Sequence, residues 1–105
     1  MRLGVLDIGS NTVHLLVADV SPGGRPLATT SQRTVLRLMR YLDDDGAIRP
    51  EGVEALVTAV REAREMAAAE NVAELLATAT SAVREAANGP AVIQAIEEAL
   101  DQPLQ

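Results

Sequence analysis

The sequence predicts an α/β fold in which three antiparallel strands are followed by helix, strand and helix. Three observations predict it. Two short apolar runs, Arg2 to Ile8 and Val13 to Val20, flank a compact polar turn. A helical repeat begins at Pro50. A further apolar run, Val72 to Ala79, separates that repeat from a second one.

The first two runs are joined by so few residues that they are expected to pair as an antiparallel hairpin, with the polar turn at its tip. The second run ends at Ser21-Pro22-Gly23-Gly24, and a third extended stretch follows from about Leu27 to Leu38. From Pro50 to Glu70, the residues Val53, Leu56, Val57, Val60, Ala63 and Ala67 recur at helical spacing. Pro50 suits the first turn of that helix, where its missing N–H costs nothing. Val72 to Ala79 reads as a buried strand. Ser81 is the expected N-cap of a brief helix through Ala87, closed by Asn88-Gly89. Pro90 reopens a helix with Val92, Ile93, Ile96 and Leu100 on one face. A helix linking two strands of one sheet favours a right-handed crossover and parallel pairing, which makes the whole the start of a ribonuclease-H-like lobe.

A chain of 105 residues holds one small domain, so one lobe at most is expected, covering residues 1–105. Its apolar share of 48% is mostly Ala, Leu and Val, and Tyr41 is the one aromatic residue, so the core must be aliphatic. No apolar run reaches the roughly 20 residues needed to cross a bilayer. The acid at Asp7 comes too early for a signal peptide, and a cytoplasmic protein is expected. The lack of cysteine removes disulfides and thiolate chemistry together. A net charge of −6 argues against non-specific nucleic-acid binding, which needs a basic face. All nine cationic residues are arginines. With no lysine for a P-loop or a Schiff base, any phosphate contact must use guanidinium forks, backbone N–H groups and hydroxyls.

Two segments carry residues suited to that chemistry. In Asp7-Ile8-Gly9-Ser10-Asn11-Thr12, Gly9 permits a tight bend after a strand, and the N–H groups from Ser10 to Thr12 are able to line one concavity. Asp7 at the strand end suits a hydrated Mg²⁺, an ion that keeps its waters and takes one or two carboxylates. The same residues equally describe an ordinary polar hairpin turn with a capping acid. In Thr78-Ala-Thr-Ser-Ala-Val-Arg-Glu-Ala-Ala-Asn88, three hydroxyls precede a helix start, with Arg84 in its first turn. Convergence on an anion and plain helix capping both fit. Asp43-Asp44-Asp45-Gly46 reads as a solvated turn and not a calcium loop, because Tyr41 and Gly52 occupy the outer ligand positions. His14 reads as a packed core residue or a support to the turn, with a catalytic role the lesser option. Arg33, Arg37 and Arg40 read as solvated surface or as the lining of a polyanion path.

Together the two segments are far more specific than either alone. Gly4 to Val17 (GVLDIGSNTVHLLV) resembles the first phosphate loop of the exopolyphosphatase and guanosine pentaphosphate phosphohydrolase (Ppx/GppA) family, and Ala77 to Asn88 (ATATSAVREAAN) resembles its second signature. Leu36-Arg37-Leu38 and Gly46-Ala-Ile-Arg-Pro-Glu-Gly52 extend the likeness, whereas Met39-Arg40-Tyr41 departs from the family's usual Gly-Glu-Gly. The resemblance implies the actin/sugar-kinase/Hsp70 superfamily fold, with an active site between two lobes, the second of which this chain lacks.

It further implies that Asn11 and Arg84 contact substrate phosphate, flanked by Gly9, Ser10, Thr12 and Ser81, with Mg²⁺ near Asp7. The implied substrates are inorganic polyphosphate or guanosine pentaphosphate, which would connect the protein to the stringent response, and the parent protein is expected to be a homodimer. The family's general base is a glutamate just past the next strand. That strand is expected to begin at about Leu104, so the base is expected beyond Gln105 and no catalytic residue within the chain, which is then inactive alone. Glu97 and Glu98 lie on the preceding helix and do not substitute for it. Two other readings are a phosphate- or alarmone-binding regulator without turnover and an actin-fold kinase; the second signature speaks against the kinase.

Overall fold

A computed structural model describes residues 1–105. Strands β1 (Arg2–Ile8), β2 (Thr12–Asp19) and β3 (Leu27–Val35) form an antiparallel meander, and a 3₁₀ turn, Leu38–Tyr41, leads to helix α1 (Pro50–Ala69). Strand β4 (Glu74–Ala79), helix α2 (Ser81–Arg84) and helix α3 (Gly89–Leu100) complete the chain. The sheet order is β3-β2-β1-β4, with β4 parallel to β1 as the crossover rule requires.

The sheet buries one face. Leu6 is in register with both Leu15 and Ala77, and Ile8 with Val13, so these side chains share the side on which α1 and α3 place Leu56, Val60, Val92 and Ile96. The eighteen residues of the buried hydrophobic cluster are all aliphatic, and Tyr41 packs half-buried at their margin. On the opposite face Val5 stands 42% exposed. That face explains why β4 is less buried than its apolar run predicts: Ala77 alone is fully covered, and Leu75 and Leu76 are half-covered.

The ends of the elements differ from the sequence reading for identifiable reasons. The third extended stretch stops at Val35 and not at Leu38, because the N–H groups of Leu36 and Arg37 turn to the Asn11 carbonyl and that of Leu38 to the Ser10 carbonyl. Arg37 adopts a left-handed conformation (φ 51°) to do so. Thr80, not Ser81, holds the N-cap position of α2, with extended backbone and no side-chain capping bond. The helix then stops at Arg84, short of Ala87. Leu104 does not begin a strand, although the Gln105 N–H already donates to the Ala77 carbonyl at 2.9 Å.

Candidate functional site

The turn between β1 and β2 is closed by a Gly9 N–H donating to the Thr12 carbonyl at 2.8 Å. Gly9 has an ordinary negative φ, so its value here is space: a Cβ would stand 3.2 Å from the Thr12 carbonyl oxygen. The carbonyls of Ser10 and Asn11 accept from Leu36, Arg37 and Leu38, which holds the turn from one side. The N–H groups of Ser10 and Asn11 donate to no protein acceptor. Successive turn N–H groups left free in this way are the donor type from which anion-binding concavities are built.

Register brings the second segment beside this turn. Ile8 is opposite Ala79 and Asp7 opposite Thr78, and the Thr80 N–H donates to the Ile8 carbonyl at 3.0 Å. Both segments therefore lie at the carboxyl ends of parallel strands, where open α/β sheets bind ligands. The Thr80 methyl group approaches Gly9, and Thr80 Oγ1 is buried with no hydrogen-bond partner. An unsatisfied buried hydroxyl costs about 1–3 kcal/mol.

Arg84 is placed differently. Its Nε donates to the Ala79 carbonyl at 3.1 Å and its Nη2 to the Gln105 carbonyl at 2.6 Å, which sets the guanidinium along the outer edge of β4. Nη1 has no acceptor, and Ser81 is exposed beside it. Asn88, quoted above only as a helix terminator, acts as a clamp: its Nδ2 and Oδ1 make paired bonds to the carbonyl and N–H of Ile48, at 2.9 and 2.8 Å. Its partner lies forty residues away, and the local sequence gives no signal of it.

His14 requires a correction. It is half-buried on the open face of the sheet and not in the core, directly across from Asp7 on one side and Arg33 on the other. The alternation Val13, Leu15, Val17 against His14 and Leu16 was the signal that places it there. Asp43 behaves as read: its Oδ1 accepts the N–H groups of Asp45 and Ala47, as in an Asx turn. A shallow groove of about 390 Å³ lies between β3 and α1, lined by Glu51, Glu54 and Glu62. Three carboxylates repel an anion, so the groove is unsuited to phosphate.

No group of three or more His, Asp or Glu side chains is arranged to hold a metal by itself. Asp7 presents one exposed carboxylate with no protein partner, a donor set that fits a largely hydrated Mg²⁺ completed by phosphate oxygens.

A mixed sheet with two loops meeting at its carboxyl end, one of them carrying N–H groups that donate to no protein acceptor, defines an actin-like α/β lobe. The Ppx/GppA phosphatase family model matches residues 16–105, and the chain belongs to that family. It is 44% identical to exopolyphosphatase 1 of Mycobacterium tuberculosis over 105 residues, which is 100% of this chain and 30% of that protein. The corresponding Mycobacterium leprae exopolyphosphatase 1 is likewise 44% identical and is covered to 31%. The chain superposes on an exopolyphosphatase from Cytophaga hutchinsonii with a TM-score of 0.89 at 28% identity, covering 100% of this chain and 33% of that one. The Aquifex aeolicus member of the Ppx/GppA family shares the fold, with a TM-score of 0.90 at 21% identity and coverage of 100% and 34%. The chain thus spans about a third of the length of the relatives it matches.

Proposed function

We propose that this chain forms the phosphate-holding part of a phosphohydrolase that releases the terminal phosphate of inorganic polyphosphate, with the 5′-γ-phosphate of guanosine pentaphosphate as the second substrate. One observation carries the reading: the Ser10 and Asn11 N–H groups lack protein acceptors while their carbonyls are fixed by Leu36 to Leu38, beside the orphaned Thr80 hydroxyl. Such preorganised donors stabilise the charge that develops on a transferring phosphoryl group. The Asn11 amide adds a side-chain donor. Arg84 adds charge from the β4 edge through Nη1, in exchange for its carbonyl contacts. A Mg²⁺ held at Asp7 would offset the charge of the substrate. Relatives bearing the name exopolyphosphatase support polyphosphate as the substrate class.

Within this chain no carboxylate other than Asp7 reaches the row of residues beside the turn, and Glu97 is engaged with the Leu104 N–H at 2.7 Å. On this reading the chain holds phosphate without activating water, and the water-activating base would come from the part of the relatives that the chain does not span. Titration with orthophosphate followed by NMR tests the site. The Ser10 and Asn11 amides should move first and saturate together; amides unmoved at millimolar phosphate would overturn the assignment.

A further inference from the structure

We propose that Arg37 is the positioning residue of the β1–β2 turn, acting through its left-handed backbone and not through its guanidinium. This role rests on the reading of that turn as a phosphate site, and supplies the device that aims one of its donors.

Arg37 has φ 51° and ψ 59°, a conformation that crowds the Cβ of an L-residue. Asn71 and Asp101, the other residues besides glycine with positive φ, stand just past α1 and at the end of α3, and are of the types that tolerate it. Arginine has no such tolerance, and the N-cap position that Arg37 holds before the 3₁₀ turn is ordinarily extended. The side chain does not explain the strain: Arg37 is exposed, and its guanidinium has no hydrogen-bond or ion-pair partner in the protein. The backbone does. Val35 ends the edge strand 61% exposed, and Leu38, only a few residues on, lies in the core at 2%. The left-handed step turns the chain between them. It also sets the N–H groups of Leu36 and Arg37 on the Asn11 carbonyl, at 2.7 and 3.1 Å, and that of Leu38 on the Ser10 carbonyl at 2.7 Å. Strain of this kind persists only where the surrounding contacts enforce it, and it collects at ligand clamps.

The effect reaches the donors through the peptide plane. A trans peptide points its C=O and N–H in opposite directions, so the bond that fixes the Ser10 carbonyl on Leu38 also fixes the Asn11 N–H on the far side. That N–H is one of the two without a protein acceptor. The Ser10 N–H belongs to the preceding peptide, whose Gly9 carbonyl receives none of these bonds, so the Asn11 donor is the one that Arg37 controls. A donor aimed before the anion arrives avoids the ordering cost at the moment of binding.

The test separates backbone from side chain in the 105-residue chain, titrated with orthophosphate and followed by NMR. Arg37→Gly deletes the guanidinium and takes the left-handed conformation without strain, so phosphate affinity should stay within about twofold of the wild type. Arg37→Val puts a β-branched residue where it is most strained. The Asn11 amide should then shift before any phosphate is added, and affinity should fall about tenfold, while the amides of core residues such as Leu6 and Val60 keep their positions. A merely structural role would not move Asn11 ahead of the core. A glycine variant that loses phosphate affinity about tenfold makes the guanidinium the ligand and overturns the proposal, and this arm decides even if the valine variant does not fold. A folded valine variant that binds phosphate like the wild type overturns it while leaving the turn site standing. Wild-type amides unmoved by phosphate overturn the turn site itself, and the positioning role with it.

Discussion

Arg84 and Asn88 sit in one signature yet serve different ends. Asn88 spends both amide atoms on Ile48, and the Ala87 N–H reinforces it by donating to the Gly46 carbonyl at 2.9 Å. Asn88→Ala should destabilise the fold by about 1–3 kcal/mol, because two backbone groups lose their partners, and urea denaturation would show the midpoint fall. Asn88→Asp keeps the acceptor only and should recover part of that loss. Arg84 spends Nε and Nη2 on the Ala79 and Gln105 carbonyls, and under the proposed function that fork, which lysine lacks, turns to phosphate. Arg84→Lys should therefore lose most of the phosphate affinity that Arg84→Ala loses, and a lysine variant with near-normal affinity would contradict the assignment. At the other end of β1, Arg2 donates through Nε and Nη2 to the two carboxylate oxygens of Asp19, at 2.8 and 3.1 Å. That hydrogen bonding, aided by charge attraction and opposed by desolvation, holds the Asp19 carboxyl below its usual range. A depressed folded-state pKa stabilises above the ordinary carboxylate range and ceases to as pH falls through the depressed value. Thermal melts of the wild type and Asp19→Asn should differ at neutral pH and converge in acid.

Among the elements, the ends of α1 were legible in local chemistry, whereas those of α2 were not. Pro50 opens α1, and Asn71 closes it in a left-handed conformation (φ 57°), with the Val72 N–H on the Ala67 carbonyl and the Asn71 N–H on that of Ala68. The end of β3 was not legible, because the groups that stop it are carbonyls of Ser10 and Asn11, brought alongside only by the hairpin. The β4 edge is similar. Its Leu75, Ala77 and Ala79 carbonyls accept from Gln102 Nε2, the Gln105 N–H and Arg84 Nε, three donors that no periodicity places together. Tight element contacts were equally hidden. A Cβ at Gly52 would lie 2.5 Å from Tyr41 Cβ, where α1 crosses the 3₁₀ turn. Gly52→Ala gains helix propensity but must displace that ring, and a net loss of about 1–3 kcal/mol is expected in the same denaturation measurement.

At the scale of the whole molecule, the antiparallel hairpin, the parallel crossover and the aliphatic core were legible from hydrophobic period and turn chemistry, whereas the order β3-β2-β1-β4 was not. What the sequence did not show was that only one face is covered, and this is why the core reading of His14 fails while its reading as a support to the turn stays open. The central claim is that this chain is the phosphate-holding third of an exopolyphosphatase-type enzyme. Grafting it in place of the equivalent first segment of the Mycobacterium tuberculosis exopolyphosphatase 1 tests that claim most directly, since the two are 44% identical over that whole length. Phosphate release from polyphosphate would be measured for the chimaera, for its Asn11→Ala variant and for the 105-residue chain alone. The account predicts turnover by the chimaera, a fall of at least tenfold in the variant, and no turnover by the chain. A folded but inert chimaera, or turnover by the chain alone within tenfold of the chimaera, would contradict it.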